Sequence, residues 1–211
     1  MAEKATTRGA KHKQGVSLFP MFVKLAGRNC LVVGAGSVGE GKIRSLLEAG
    51  AKVRVVAPQA SAAVREWAQA GEIAWEPREF KPSDLDGIFL VVAATSSSDL
   101  NGLIFGEAQK RHVLCNAVDD PEHCDFYYGA VVRRGDLQIA ISTAGKSPAL
   151  AQRLREELEA RYGPEFAQLV EELGEARREL FASQLDAEER RRRLHELANG
   201  KAAAASKGAG R

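Results

Sequence analysis

The chain has 211 residues, 45% of them hydrophobic, and its 30 Lys and Arg nearly balance 28 Asp and Glu to a net charge of +2. This length suits one ordinary α/β domain with an appendage, and the apolar share allows a sizeable core. The near-neutral charge gives no reason to expect nucleic acid as a partner, and no apolar run reaches the ~20 residues that cross a membrane.

The N-terminal 17 residues are polar and basic and lack the apolar core of a secretory signal. We therefore expect a disordered leader at 1–17. The three cysteines, Cys30, Cys115 and Cys124, contain no Cys-x-x-Cys pair, which argues against a disulfide framework or a zinc ribbon. Cys30 and Cys115 lie in apolar runs typical of buried thiols, so we expect a cytoplasmic protein.

Short apolar runs alternate with amphipathic segments between residues 28 and 115. Strands are predicted at NCLVVG, KVRVVA, EIAWE, IFLVVAAT and HVLCNAV, and helices at VGEGKIRSLLEAG, SAAVREWAQAG and SSSDLNGLIFGEAQKR. Nearly continuous apolar strands separated by helices indicate a parallel sheet that is covered on both faces. Right-handed crossovers then predict an α/β fold with a Rossmann-type doubly wound sheet, over residues 18–119.

The pattern changes after residue 119. The sequence predicts that residues 120–146 form a separate region. It consists of a loop, DDPEHCDFYYG, and a hairpin, AVVRRGDLQIAIS, that turns near Gly135. Residues 147–198 predict a small helical domain that opens with Ser147 as N-cap and Pro148 at the first helical position. Its apolar stripes need a cover, from a helical subdomain or a dimer partner. We expect a flexible tail at 199–211.

A glycine-rich loop joins the first strand to the first helix. Gly34, Gly36 and Gly39 form the pattern G-x-G-x-x-G. The first permits a tight turn, the second lets a pyrophosphate approach the backbone, and the third lets the helix pack on the strand. The free N–H groups of the helix N-terminus then favour phosphate, so this segment predicts a dinucleotide site.

The second strand lacks the acid that commonly follows it in such folds. It ends in Ala57-Pro58, which leaves the ribose to backbone groups and Gln59. The missing acid does not by itself indicate NADP, because no Arg follows the strand directly and Arg54 lies inside it.

Four segments in order resemble one known family. LAGRNCLVVGAGSVGEGKIRSLLEAGAKVRVVAP, VVAATSSSDLN, CNAVDDPEHCDF and AISTAGKSPALAQRLREELE resemble the precorrin-2 dehydrogenase / sirohydrochlorin ferrochelatase family, the siroheme synthase module that occurs alone or fused to a methyltransferase. The resemblance covers about residues 18–180. It implies a homodimer with a Rossmann domain, a loop and dimerisation hairpin at residues 120–146, and a small helical domain. It also implies NAD-dependent oxidation of precorrin-2 to sirohydrochlorin, and in some members insertion of Fe2+; the sequence leaves this second activity open.

The resemblance assigns roles to individual residues. It implies cofactor contacts at Gly34, Gly36, Ser37, Val38, Gly39, Pro58, Gln59 and Thr95. It implies substrate contacts at Asn116, Ser142, Thr143 and Lys146. Asp119 matches the aspartate proposed for catalysis. Thr143 replaces a serine that some relatives carry, which puts any serine-specific regulation in doubt.

The chemistry of the predicted reaction needs a proton acceptor. Asp119 follows the fifth strand, at the edge where doubly wound sheets bind ligands, and its carboxylate could take a proton from carbon or from pyrrole nitrogen. The alternative is a loop carboxylate that caps a turn before Pro121. The ligand-like residues of DDPEHCD have no known metal spacing, so we expect no permanent metal site.

The substrate carries eight carboxylates, so a basic rim is expected. The candidates are Arg133, Arg134, Lys146, Arg153 and Arg155. The alternative is ordinary surface charge, with helix pairs such as Arg155 and Glu159. The residues leave that choice open.

Two other functions remain compatible with the residues. One is an NAD-sensing module that carries out no chemistry, although such modules usually keep the acid after the second strand. The other is an NAD-linked oxidoreductase for a small acid, although the chain after residue 120 is short for a separate catalytic domain.

Overall fold

The computed structural model describes residues 18–208, so the predicted leader and the last three residues lie outside it. The strands are β1 (Asn29–Ala35), β2 (Lys52–Ala60), β3 (Ile73–Glu76), β4 (Leu90–Ala93), β5 (Leu114–Ala117), β6 (Ala130–Arg134) and β7 (Leu137–Ile141). The α-helices are α1 (Ser37–Glu48), α2 (Ala62–Gln69), α3 (Ser98–Lys110), α4 (Pro148–Arg161), α5 (Glu165–Ala182) and α6 (Ala187–Gly208). Short 3-10 helices span Pro82–Leu85 and Pro121–His123.

The first five strands form one parallel sheet in the order β3-β2-β1-β4-β5, which confirms the predicted doubly wound fold. Apolar side chains are buried on both faces of the sheet. The consecutive β1 residues Leu31 and Val32 point to opposite faces and belong to two different hydrophobic clusters. Ile43 of α1 belongs to one cluster and Ile104 of α3 to the other. Burial on both faces explains why the strands are almost continuously apolar.

The order of the strands creates a crevice at their carboxyl ends. The chain leaves β1 toward β2 on one side and later returns to β4 on the other side of β1. Connections that diverge from a central strand leave a crevice at that edge, and ligands bind there. In register, Val33 of β1 lies opposite Ala93 of β4, which lies opposite Ala117 of β5. The residues that follow these three therefore emerge side by side.

Strand β2 is longer and less regular than predicted. The expected end at Ala57 is wrong, since the strand continues to Ala60. Val33 pairs with Val56, but Ala35 pairs with Ala60. Between these two pairs β2 therefore contains two more residues than β1. Such an irregularity bends a strand and re-aims its side chains. Pro58 and Gln59 thus lie exposed in a bulged strand end, whereas the sequence predicted a turn.

The remaining chain forms a hairpin covered by helices. Strands β6 and β7 pair in antiparallel fashion, and Gly135 takes a positive φ of 56° at their turn, as predicted. Val132 of β6, Ala151 of α4 and Phe166 of α5 are buried. Ser147 Oγ accepts a hydrogen bond from the Leu150 amide at 3.3 Å, which confirms the predicted cap.

Helix α6 extends beyond its expected end. Within the predicted flexible tail at 199–211, residues 199–208 continue the helix. Four consecutive alanines, the best helix formers, follow Lys201 and account for the extension. None of the helices in the 18–208 range is long and apolar enough to cross a bilayer.

The thiols predicted to be buried lie in the sheet. Cys30 of β1 and Cys115 of β5 are fully buried. Burial raises the pKa of Cys30 to about 11 and the pKa of Cys115 to about 12, because a thiolate would lose its hydration. Both act as small apolar residues.

Candidate active site

The glycine loop has the backbone that its sequence predicts. Gly34 takes a φ of +100°, and a Cβ there would collide with the Ala94 carbonyl oxygen. A Cβ at Gly39 would collide with the carbonyl oxygen of Gly34. The first glycine therefore serves the tight turn and the third serves the close approach of helix to strand, which confirms both predictions.

Gly36 has no such internal reason to be glycine. A Cβ there would meet nothing within 4 Å, and its φ of −81° suits any residue. It forms the N-cap of α1 without any side-chain cap, and Ser37 and Val38 of the first turn are exposed. Open space in front of free helical N–H groups fits a pyrophosphate, so the residues present are suited to a dinucleotide.

Replacing Gly36 by Asp should abolish NAD binding without loss of stability. The new carboxylate would enter the space left for phosphate, while Asp is a favourable N-cap for α1. Thermal melting and NADH fluorescence titration would show an unchanged or higher Tm together with lost binding. Gly41→Asp is the matched control, because a Cβ at Gly41 also meets nothing within 4 Å and should leave affinity intact. Tight NADH binding by Gly36→Asp would refute the assigned phosphate site.

Thr95 follows β4 at the same edge, two residues beyond Ala93. Its Oγ1 lies 2.7 Å from Oδ1 of Asn101, and the Asn101 amide donates to the Thr95 carbonyl at 3.3 Å. Asn101 is a buried polar residue of α3 that the sequence reasoning missed. The Thr95 hydroxyl is held in place by this pair, and its contact with nicotinamide stays a prediction.

Asp119 follows β5, two residues beyond Ala117, which pairs with Ala93. It is exposed and has a φ of +60°, a conformation that side chains rarely adopt and that Asn and Asp tolerate best. The Val118 amide donates to the Ala93 carbonyl at 2.9 Å, which ties this turn to β4. Backbone strain of this kind collects at functional sites. Thr95 and Asp119 thus leave neighbouring strands at equivalent positions.

The loop after Asp119 is held by the polar residues that resembled metal ligands. His123 Nδ1 lies 2.6 Å from Asp120 Oδ2. Cys124 donates to the Ala117 carbonyl at 3.1 Å, and Asp125 accepts from the Cys115 amide at 2.9 Å. Within residues 18–208, no group of three or more His, Cys, Asp or Glu side chains is arranged to hold a metal ion.

Asn116 makes hydrogen bonds within the chain, and its predicted substrate contact stays a prediction. Its side chain is buried in β5. The amide donates to the Phe126 carbonyl at 2.8 Å and to Cys124 Sγ at 3.3 Å. These bonds engage the donor atoms within the chain, so Asn116 positions the loop that carries Asp119.

Lys42 is a functional candidate that the sequence reasoning missed. Its ammonium lies 3.7 Å from the centroid of the Tyr128 ring, and it makes no ion pair or hydrogen bond with other described residues. Partial burial lowers the pKa of Lys42, while the nearby charge of Asp119 opposes that shift. A cation whose charge interacts with that of Asp119 suits an anionic substrate. The sequence did not link Lys42 to Asp119 because the two residues lie far apart in the chain.

The segment from Ser142 to Ser147 forms a compact turn before α4. Ser142 Oγ accepts from the Ala144 amide at 3.1 Å, and Thr143 Oγ1 accepts from the Ser147 amide at 3.1 Å. Lys146 is exposed. Within the described range, no hydrogen bond or ion pair joins this turn to the glycine loop or Asp119. Its substrate contacts stay a prediction.

The structure divides the basic candidates. Arg134 donates to the Tyr162 carbonyl at 2.8 Å and to the Glu159 carbonyl at 3.1 Å, so it fastens the hairpin to the end of α4. Arg155 and Arg153 form helix ion pairs with Glu159 at 2.5 Å and Glu157 at 3.0 Å. The exposed Arg133 and Lys146 have no acidic partner within 4 Å among the described residues.

Known families match both parts of the chain. A family model described as NAD(P)-binding matches residues 21–130, more than half of the chain, and a model described as sirohaem biosynthesis protein central matches residues 134–161. The solved structure of SirC, a precorrin-2 dehydrogenase, superimposes with a TM-score of 0.75 at 29% identity, covering 85% of this chain and 89% of that one.

Curated relatives include longer proteins. Siroheme synthase of Photorhabdus laumondii is 49% identical over 67% of this chain and 30% of the relative. Siroheme synthase 1 of Serratia proteamaculans is 41% identical over 84% of this chain and 37% of the relative. The chain thus spans about a third of the length of these relatives. Because the models cover both its nucleotide-binding and its hairpin regions, the chain belongs to the precorrin-2 dehydrogenase and siroheme synthase family.

Proposed function

We propose that the protein oxidises precorrin-2 to sirohydrochlorin with NAD. The observation that carries this proposal is the alignment of three features along one edge: the glycine loop after β1, Thr95 after β4 and Asp119 after β5. Dinucleotides lie across such an edge, with their phosphates on the loop. The likeness to SirC, a precorrin-2 dehydrogenase, supports the same substrate.

The chain's own residues have separable tasks in this reaction. The backbone of Gly36, Ser37 and Val38 holds the cofactor phosphates, and Pro58 and Gln59 line the adenosine side. When bound, NAD supplies the hydride acceptor. Asp119 accepts the proton that leaves the substrate carbon, which completes the loss of one hydride and one proton. Lys42, with Arg133 and Lys146, binds substrate carboxylates, while Asn116 and Asn101 hold Asp119 and Thr95 in place.

Ferrous iron enters the proposal as a substrate. Sirohydrochlorin that stays bound at the carboxyl edge of the sheet has two pyrrole N–H groups, and these lose their protons when the metal ion enters. Asp119 is an exposed carboxylate at that edge and would accept these protons one at a time, passing each to solvent. Chelation is therefore a second step, tested separately from the oxidation.

We also propose a cytoplasmic homodimer. Phe19, Met21 and Phe22 of the chain before β1 are 82%, 63% and 69% exposed, and Leu150 of α4 is 48% exposed. Large apolar side chains at a surface favour a partner subunit. The free thiols of Cys30, Cys115 and Cys124 suit a reducing compartment.

An anaerobic assay tests the enzymatic proposal against the sensing alternative. The protein is mixed with precorrin-2, with and without NAD, and sirohydrochlorin is followed by absorbance; ferrous iron is then added. We expect sirohydrochlorin only with protein and NAD together. Siroheme formed faster than in the protein-free control would add the chelatase step. NAD binding without turnover would favour a sensor and would refute the dehydrogenase.

A further inference from the structure

The carboxylate of Glu40 lies beside the end of β2, where the sequence offers no acid. Glu40 Oε2 accepts a hydrogen bond from Ser61 Oγ at 3.0 Å. Ser61 follows Ala60 and is the N-cap of α2, with its Oγ accepting from the Val64 amide at 3.3 Å. The Ser61 amide also donates to the carbonyl of Ala35, at 2.9 Å within the glycine loop. Glu40 is thus held between the loop and the start of α2.

This position matters for the adenosine end of a dinucleotide. In doubly wound folds the adenosine ribose lies near the end of β2, where an acid binds its hydroxyls and disfavours a 2′-phosphate. Pro58 and Gln59 carry no charge there. Without a nearby negative charge, the N-terminus of α2 would attract the 2′-phosphate of NADP. The Glu40 side chain is 27% exposed at this point, so its charge meets the approaching ligand.

We infer that Glu40 is the residue that makes the site select NAD over NADP. The inference rests on the proposed NAD-dependent function. The negative charge that the second strand lacks comes from Glu40 in the first turn of α1 and is held at the N-terminus of α2 by Ser61. Arg44 contacts the other carboxylate oxygen at 3.3 Å, but its side chain is 60% exposed and solvent screens its charge. Glu40 therefore keeps a negative charge beside Ser61, and that charge opposes a 2′-phosphate.

Equilibrium titration of the protein with NADH and NADPH, in the absence of substrate, tests this inference. Wild-type protein should bind NADH at least about tenfold more tightly than NADPH. Glu40→Gln keeps a hydrogen-bonding group for Ser61 but removes the charge. It should strengthen NADPH binding about tenfold and leave NADH binding within about threefold. The gain should shrink at high salt, as a charge effect requires.

Glu48→Gln is the matched control, because it removes the same charge from the other end of α1 and should change neither dissociation constant. Glu40→Ala is a second variant and should act in the same direction. Unchanged NADPH affinity in both Glu40 variants, with NADH still bound, would overturn the inference alone, as would equal affinities in the wild type. If the wild type bound neither nucleotide, the inference and the proposed cofactor would both be overturned.

Discussion

Asp119→Asn should lower kcat for precorrin-2 oxidation by about 10²–10⁴-fold while NADH affinity stays within a factor of about three. The size follows from the loss of a general base at the site of proton transfer. Asn is the appropriate replacement because it tolerates the positive φ of residue 119 and removes only the charge and basicity. The loop should therefore keep its conformation, and thermal melting should show a nearly unchanged Tm.

Asp120→Asn is the matched control for Asp119, since it removes the adjacent carboxylate from the same loop. Asp120 contacts His123 at 2.6 Å, so its loss should mainly loosen the loop. Steady-state kinetics with saturating NAD separate the two. Turnover by Asp119→Asn close to the wild-type rate, or an equal loss in Asp120→Asn, would remove Asp119 from its proposed role.

The second large effect concerns stability. Asp84, in the 3-10 helix Pro82–Leu85, has a side chain only 5% exposed. Arg78 donates to its two oxygens at 2.6 and 2.8 Å, and Arg54 of β2 lies 3.4 Å from Oδ1. Asp84→Asn should lower the free energy of unfolding by about 2 kcal/mol, because a nearly buried carboxylate loses its ion pairs with Arg78 and Arg54, although Glu76 still contacts both arginines. The Tm should fall by roughly 6 °C.

The pH dependence of stability gives an independent test of Asp84. Burial opposes its ionisation, but hydrogen bonds from Arg78 and the Lys81 amide outweigh that effect and hold the pKa of Asp84 below its ordinary value. A carboxyl group whose folded pKa is depressed stabilises the protein above its unfolded pKa, about 3.9, and this contribution disappears as the pH falls through the folded pKa. The stability difference between wild type and Asp84→Asn should therefore shrink on acidification below about pH 4.

Asp86→Asn serves as the control for Asp84. Its carboxylate is 68% exposed and pairs with Arg111 at 3.1 Å, so its removal should cost less than about 1 kcal/mol. Chemical denaturation across pH measures both variants. An Asp84→Asn protein as stable as Asp86→Asn would show that the Arg54–Asp84–Arg78 cluster contributes little to the fold.

Features that depend on neighbouring residues were predictable from the sequence. The apolar strands follow from burial on both faces, and Gly34 and Gly39 follow from backbone turns within one strand–loop–helix unit. The cap at Ser147 is likewise local. Each of these features depends on the conformation of a few consecutive residues, and the residue types at those positions indicate that conformation directly.

Features that depend on distant partners were not predictable. The two-residue register change of β2 reflects how Ala60 pairs with Ala35, which the alternation of strand residues does not encode. The resemblance implied a substrate contact for Asn116, but the hydrogen-bond partners of its side-chain amide lie ten and eight residues further on. The hydrogen bond between Glu40 and Ser61 joins α1 to the N-cap of α2, and the two residues are 21 positions apart in the chain. Polar residues near a site look alike in sequence, and only tertiary contacts separate binding groups from positioning groups.

The most direct test of the proposed function is an anaerobic single-turnover experiment with enzyme and NAD in excess over precorrin-2. NADH and sirohydrochlorin are followed together by absorbance. The proposed hydride transfer predicts that both appear with one rate constant and in equal amounts, and that Asp119→Asn slows both equally. Sirohydrochlorin that formed without equimolar NADH, or at the protein-free rate, would contradict it.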